Sequence, residues 1–85
     1  MNDHTKQLRQ IGERVAYFRR QHHWTQQELA DRIHRSLSTV SRIERGGYKG
    51  SLPLHVLMDM AEVMQISLAQ LFLSEDVLLI SKKGV

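Results

Sequence analysis

The sequence predicts an all-α chain: one compact bundle of five helices followed by a short C-terminal extension. Three observations carry that prediction. Apolar residues recur three and four positions apart in successive segments, the period of a helix with one buried face. Two of these segments open on recognisable N-caps around a tight turn. The 85 residues suffice for a single helical core but not for a separate ligand-sensing domain. The domain is placed at residues 1–73, with residues 74–85 as a tail.

The first helix is expected from about Thr5 to Gln21, with Leu8, Ile11, Val15 and Phe18 as its buried stripe. His22, His23 and Trp24 make the turn that follows. Trp24 is expected to plug the core edge as a hydrophobic staple, with stacking on a base as the lesser alternative. Thr25 and Glu28 form a capping box, each side chain satisfying a backbone N–H at the start of the second helix. Leu29 and Ile33 share one face of that helix, and the small Ala30 beside them lets another helix cross closely. After a connection of about three residues, HRS, Ser36 is a fresh N-cap. Val40 and Ile43 then repeat an apolar i, i+3 stripe. Gly46 ends the third helix, where a left-handed backbone costs glycine little. Neither short helix would be stable alone, so the pair must pack on the rest of the chain.

The loop GGYKGS follows, and Pro53 suits the first turn of a fourth helix, LPLHVLMDMAEVM. Leu54, Leu57, Ala61 and Met64 are expected on its inner side, with Met58 and Met60 available for gaps or a partner. Ser67 caps a short fifth helix, SLAQLFL, whose Leu68, Leu71 and Phe72 close the core. The tail SEDVLLISKKGV holds four consecutive apolar residues, Val77 to Ile80. They either fold back over the monomer's core or form a dimer interface, as an added strand or a terminal helical turn.

Two capped helices around a tight, basic turn are the arrangement by which a protein lays one helix in the major groove while another holds it down. On the third helix Leu37, Ser38, Ser41, Arg42 and Arg45 lie opposite Val40 and Ile43, on a face without an acidic residue. Short hydroxyls permit close approach to bases or phosphates, and the planar fork of Arg42 can reach a guanine or a phosphate. Charge is divided to match: residues 1–50 carry ten Lys or Arg against five Asp or Glu, residues 51–85 two against four. The first half can therefore face a polyanion.

Other function classes find little support. Cysteine is absent, which excludes disulfides and thiolate metal sites. His22 and His23 are adjacent and cannot readily converge on one ion, and no H-x-x-x-H pattern occurs, so no metal and no cofactor is expected. No motif brings Ser, His and Asp together, and there is no glycine-rich phosphate loop, so the chain is not expected to be an enzyme. No apolar run approaches a membrane span, and the start, MNDHTKQ, is too polar for a signal peptide. The expected compartment is the cytoplasm.

From Ile11 to Phe72 the chain resembles the Cro/C1-type (Xre-like) helix-turn-helix family of phage repressors and bacterial regulators. The resemblance rests on IGERVAYFRR, WTQQELADRI, STVSRIERG and LHVLMDMAEVMQISLAQLF, with Gln26, Leu29, Ala30, Ser41, Ile43, Glu44 and Gly46 where that family has them. It implies a lambda-repressor-like bundle of five helices, the third being the recognition helix. It also implies that Leu37, Ser38 and Arg42 meet base edges, with Ser36 and Thr39 close to the backbone or flanking bases. Gln26 would bond a phosphate and buttress the recognition helix, while Arg45, Tyr48 and Lys49 ride along the phosphates. Arg19 and Glu44 would tie the first helix to the third.

The chain departs from the family in several places. His23 and His34 stand where glycine is usual, Arg35 where a small apolar residue is common, and Leu37 where a polar base-reader often sits. Leu37 would either touch a thymine methyl group or pack at the edge of the interface. The resulting expectation is a transcriptional repressor of phage, plasmid or mobile-element type that binds double-stranded operator DNA as a homodimer, its recognition helices ~34 Å apart. A restriction–modification controller is a close variant. The alternative is an antitoxin that binds a toxin partner and uses DNA binding for autoregulation.

Overall fold

Helix α1 runs from Thr5 to Gln21 in the computed structural model, which describes residues 4–48 and 51–73. It turns Val15 and Ala16 fully into the core, with Ile11 and Phe18 packed partly buried beside them. Helices α2 (Gln26–Arg32) and α3 (Leu37–Glu44) follow. Both pack extensively: α3 lies against α1 on one side and α2 on the other. Leu29, Ala30, Ile33, Val40 and Ile43 fill the space between them. Helix α4 (Leu54–Met64) and a turn of 3-10 helix (Leu68–Leu71) cover the remaining side of α1.

The fold is all-α, but the expected fifth helix is only that 3-10 turn, so four α-helices replace five among the described residues. The segment after Ser67 is too short to develop α-helical bonding. It closes with i→i+3 bonds instead, from Gln70 N–H to the Ser67 carbonyl at 3.1 Å and from Phe72 N–H to the Ala69 carbonyl at 3.0 Å. The Gln70 side chain reaches back to accept from the Ser67 N–H at 2.9 Å. Leu71 is buried and Leu68 partly so, whereas Phe72 is about half exposed (47%) rather than part of the core. The expected dimerising segment, Val77 to Ile80, lies outside the described residues, and no strand occurs among those described.

Helix α4 is rotated from its expected position. Val56, Leu57, Met60, Ala61 and Met64 are buried, while Leu54 and Met58 stand exposed. At 3.6 residues per turn the five buried positions cover one continuous arc, and Leu54 and Met58, four apart, fall together just beyond its edge. A helix start that is apolar at four of its first five positions leaves that choice of face to tertiary packing.

All four α-helices end in the same way. The pairs Trp24 N–H to Arg19 carbonyl, Arg35 to Ala30, Gly47 to Arg42 and Ile66 to Ala61 each span a Schellman closure at 2.9–3.2 Å. The residue before each donor has a left-handed backbone: His23 (φ 59°), His34 (φ 58°), Gly46 (φ 68°) and Gln65 (φ 58°). Only one of the four is glycine. A side chain in this conformation costs roughly 1–2 kcal/mol, part of which glycine returns through its larger unfolded-state entropy. His34 is exposed, so His34→Gly should raise stability by about 1 kcal/mol in urea unfolding. Unchanged or lower stability would mean that the imidazole contributes more than the backbone strain costs.

Candidate nucleic-acid interface

The position of α3 is set at both of its ends. At the start, Ser36 Oγ accepts from the Thr39 N–H at 3.2 Å and lies 3.0 Å from Thr39 Oγ1, so both hydroxyls serve the cap. At the end, Glu44 is held in a buried ion pair. Arg19 donates Nε to Glu44 Oε2 at 2.7 Å and Nη2 to Oε1 at 3.0 Å, and the two side chains are only 10% and 7% exposed. Gln26, at the first turn of α2, donates Nε2 to Glu44 Oε1 at 3.0 Å. Arg19 Nη1 also donates to the Trp24 carbonyl at 2.7 Å. One carboxylate thus joins α1, α2 and α3. Its hydrogen bond raises the Arg19 pKa, against the opposing effect of burial and with help from the charge on Glu44.

The α2 start is equally well defined. Thr25 Oγ1 accepts from the Glu28 N–H at 3.1 Å while Glu28 Oε1 accepts from the Thr25 N–H at 2.9 Å. Trp24 packs against the core, stacks on His22 with centroids 4.4 Å apart and has the Arg32 guanidinium 4.1 Å from its ring. This is the core-edge position rather than a free ring for base stacking. His22 Nε2 lies 2.8 Å from the Met64 carbonyl and so fastens this corner to α4.

Outward from α3 lies a shallow concavity lined by Leu37, Ser38, Ser41, Arg42, Arg45 and Gly47. Leu37 is 43% exposed, an apolar side chain presented to solvent at the first turn. Ser38, Arg42 and Arg45 are exposed and Ser41 is half-buried. Arg45 Nη1 donates to Ser41 Oγ at 3.2 Å, whereas Arg42 lies with its guanidinium carbon 4.7 Å from the Tyr48 ring centroid. Arg35 is exposed in the turn, and Lys49 lies outside the described residues. The only carboxylate of α3 is Glu44, which is committed to Arg19. The face can therefore offer cationic and hydroxyl donors to a polyanion without a competing negative charge.

Two residues that position this face escaped the sequence reading. Gly12 sits where α1 crosses α3: a Cβ there would stand 2.7 Å from the Glu44 carbonyl carbon and closer still to the carbonyl oxygens of Ile43 and Glu44. A glycine inside an otherwise helical pattern is the available signal for such a close approach. Arg14 donates Nε to the Gln70 carbonyl at 3.2 Å and lies over the Phe18 ring at 4.8 Å, linking α1 to the 3-10 turn. Nothing in its local sequence announces a partner so distant along the chain. Among the described residues no three His, Asp or Glu side chains are grouped so as to hold a metal ion, and no helix is long and apolar enough to cross a membrane.

Comparison with known proteins agrees with this geometry. The family model described as Helix-turn-helix matches residues 15–71. A competence pilus inhibition repressor of Acinetobacter baylyi is 40% identical over 63 residues, which cover 74% of this chain and 56% of that protein. The chain therefore spans little more than half the length of that relative. Among solved structures, a hypothetical transcription factor, NHTF, from Neisseria superposes with a TM-score of 0.80 at 24% identity, covering 93% of this chain and 88% of its own. At that identity the likeness is one of fold. The restriction-modification controller protein C.AhdI from Aeromonas hydrophila superposes with a TM-score of 0.74 at 28% identity, covering 84% of this chain and 100% of its own.

Proposed function

The chain belongs to the Cro/C1-type helix-turn-helix family of DNA-binding regulators, and on that premise we propose that it is a repressor that binds operator DNA as a homodimer, with α3 in the major groove. The observation that carries the reading is the α3 face itself. It is basic, free of competing carboxylates, and held rigidly from behind by Arg19, Glu44 and Gln26. In this reading Leu37, Ser38 and Arg42 meet base edges. Gln26, Ser36, Thr39, Ser41, Arg45, Tyr48 and Lys49 serve the phosphates or flanking bases, giving affinity and register but little sequence choice. Thr25, Glu28, Arg19 and Glu44 hold the frame. The likeness to a named repressor supports repression as the direction of control.

Dimerisation is supported by size, because one small module makes too few contacts for tight specific binding, and two-fold dimers on paired half-sites are the general remedy. Leu54, Met58 and Phe72 leave large apolar surface about half exposed, which a second copy could cover. The action would be in the cytoplasm. A restriction–modification controller is the second reading, favoured by the match to the full length of C.AhdI.

The proposal is tested by two substitutions measured on a duplex selected in vitro and on random DNA. Arg42→Ala should weaken the selected duplex by about 1–3 kcal/mol and relax one base position, while leaving random DNA nearly unaffected. Lys49→Ala should weaken both alike and flatten the salt dependence by about one counterion. Equal loss on both duplexes for Arg42→Ala would remove that residue from the base-reading set.

A further inference from the structure

The loop after α3 folds back on the helix end, and three of its contacts involve Arg42. The Gly47 N–H donates to the Arg42 carbonyl at 2.9 Å. Arg42 Nε approaches the Gly47 carbonyl at 3.5 Å, the outer limit of a hydrogen bond. The guanidinium lies over the Tyr48 ring, 4.7 Å from its centroid. Tyr48 is half-buried and packs against the hydrophobic core, so its ring is a platform supported from below. Gly47 leaves little slack, since a Cβ there would meet Arg42 Cγ at 3.2 Å.

The neighbouring Arg45 is arranged differently, with Nη1 donating to Ser41 within its own helix. Among the described residues the two terminal nitrogens of Arg42 have no hydrogen-bond or ion-pair partner. Its Nε and guanidinium carbon thus lie against the loop while its terminal nitrogens carry no partner among those residues.

We propose that Tyr48 is a positioning residue that holds Arg42 end-on, so that Nη1 and Nη2 together read the O6 and N7 of a guanine. The inference rests on α3 being the recognition helix and adds the base class and the residue that enforces it. Guanine presents two adjacent acceptors in the major groove that match a planar fork. A phosphate can accept the same fork, so the base class follows from the place of Arg42 on the exposed side of α3, away from the buried Val40 and Ile43 and facing the groove when this helix docks. Arginine carries much rotamer freedom, and restraining it before binding lowers the ordering cost of the contact. The contact with the ring is the restraint, because the Gly47 contact is too long to hold the side chain by itself.

The test uses the full chain and a duplex selected in vitro with the wild-type protein, together with three single-base substitutions at the position that Arg42→Ala relaxes. Tyr48→Phe keeps the aromatic face and should keep the guanine preference within about twofold, while Tyr48→Met and Tyr48→Leu, which keep apolar bulk against the core, should reduce it about three- to tenfold at that position alone. In an Arg42→Ala background the same changes should add nothing to specificity. Thermal melts establish that each variant is folded. Should both aliphatic variants unfold, Tyr48→Trp, with a stronger face, must keep or raise the preference, and a drop overturns the proposal. Equal weakening of guanine-containing, substituted and random duplexes by Tyr48→Met also overturns it and leaves Tyr48 with no role beyond the phosphate contact given to it above. If Arg42→Ala relaxes no base position at all, the α3 assignment itself has failed, a result distinct from failure of Tyr48 as the positioner.

Discussion

Glu44→Ala is expected to lower the melting temperature by about 12–40 °C, or to leave the domain unfolded, and DNA binding is expected to be lost with it. Glu44 accepts from Arg19 Nε and Nη2 and from Gln26 Nε2. Truncation leaves the Arg19 guanidinium, whose side chain is only 10% exposed, with one carbonyl partner and no counter-charge. Breaking a buried pair from one side costs about 3–5 kcal/mol, and a domain of this size loses about 4–8 °C per kcal/mol.

Replacing both partners separates the cost of an orphaned charge from the worth of the pair. Arg19→Met combined with Glu44→Leu should recover most of the stability, because matched apolar groups commonly substitute for a buried ion pair at little cost. It should not recover full DNA affinity, since Gln26 then loses its acceptor and α2 its hydrogen bond to the end of α3. Thermal unfolding followed by circular dichroism, with DNA titration of the folded variants, checks both statements. A melting temperature for Glu44→Ala within a few degrees of wild type would mean that the pair does not hold the recognition helix. The arginine side of the pair adds no pH dependence near neutrality. Its pKa is raised on folding, so its contribution is complete below its ordinary unfolded value and is lost only as pH climbs through the still higher folded one.

Gly12→Ala should destabilise the domain by about 3 kcal/mol, at the upper end of overpacking effects, although it improves intrinsic helix propensity by about 1 kcal/mol. The two effects have opposite signs and the clash is the larger. The added methyl group would meet backbone carbonyls of Ile43 and Glu44, not a flexible side chain, so α1 and α3 must separate to admit it. Separation would stretch the Arg19–Glu44 bridge, which spans the same crossing, and shift the reading face. Urea unfolding measures the effect. A Gly12→Ala protein as stable as wild type would show that the crossing is looser than the geometry requires.

What could be read from the sequence divides along the distance between interacting residues. The caps at Thr25 and Ser36 and the left-handed end at Gly46 depend on residues three to five positions apart, and their residue types state the local geometry. The exposed face of α3 followed from the stripe of Val40 and Ile43, which fixes the opposite side. Arg19 and Glu44, twenty-five positions apart, were connected only through family resemblance.

Elsewhere local pattern was insufficient. On α4 apolar residues on more than half of the circumference left the buried face undecided, and tertiary packing chose Val56 and Met60 over Leu54. Ser67 correctly marked the start of a turn, but the few residues after it settled into 3-10 bonding that propensity does not distinguish from a helix. The Arg42–Tyr48 contact depends on how the loop turns back, and the Arg14–Gln70 bond joins positions 56 residues apart. Neither leaves a local trace.

The central claim, that α3 reads DNA in the major groove, is most directly tested by in vitro selection from random duplexes with the purified protein. The expected outcome is an enriched, near-palindromic sequence whose half-sites are centred ~10 base pairs apart, with a guanine that Arg42→Ala no longer selects. Recovery of duplexes with no common sequence, or of one whose base preferences Arg42→Ala leaves intact, would contradict it.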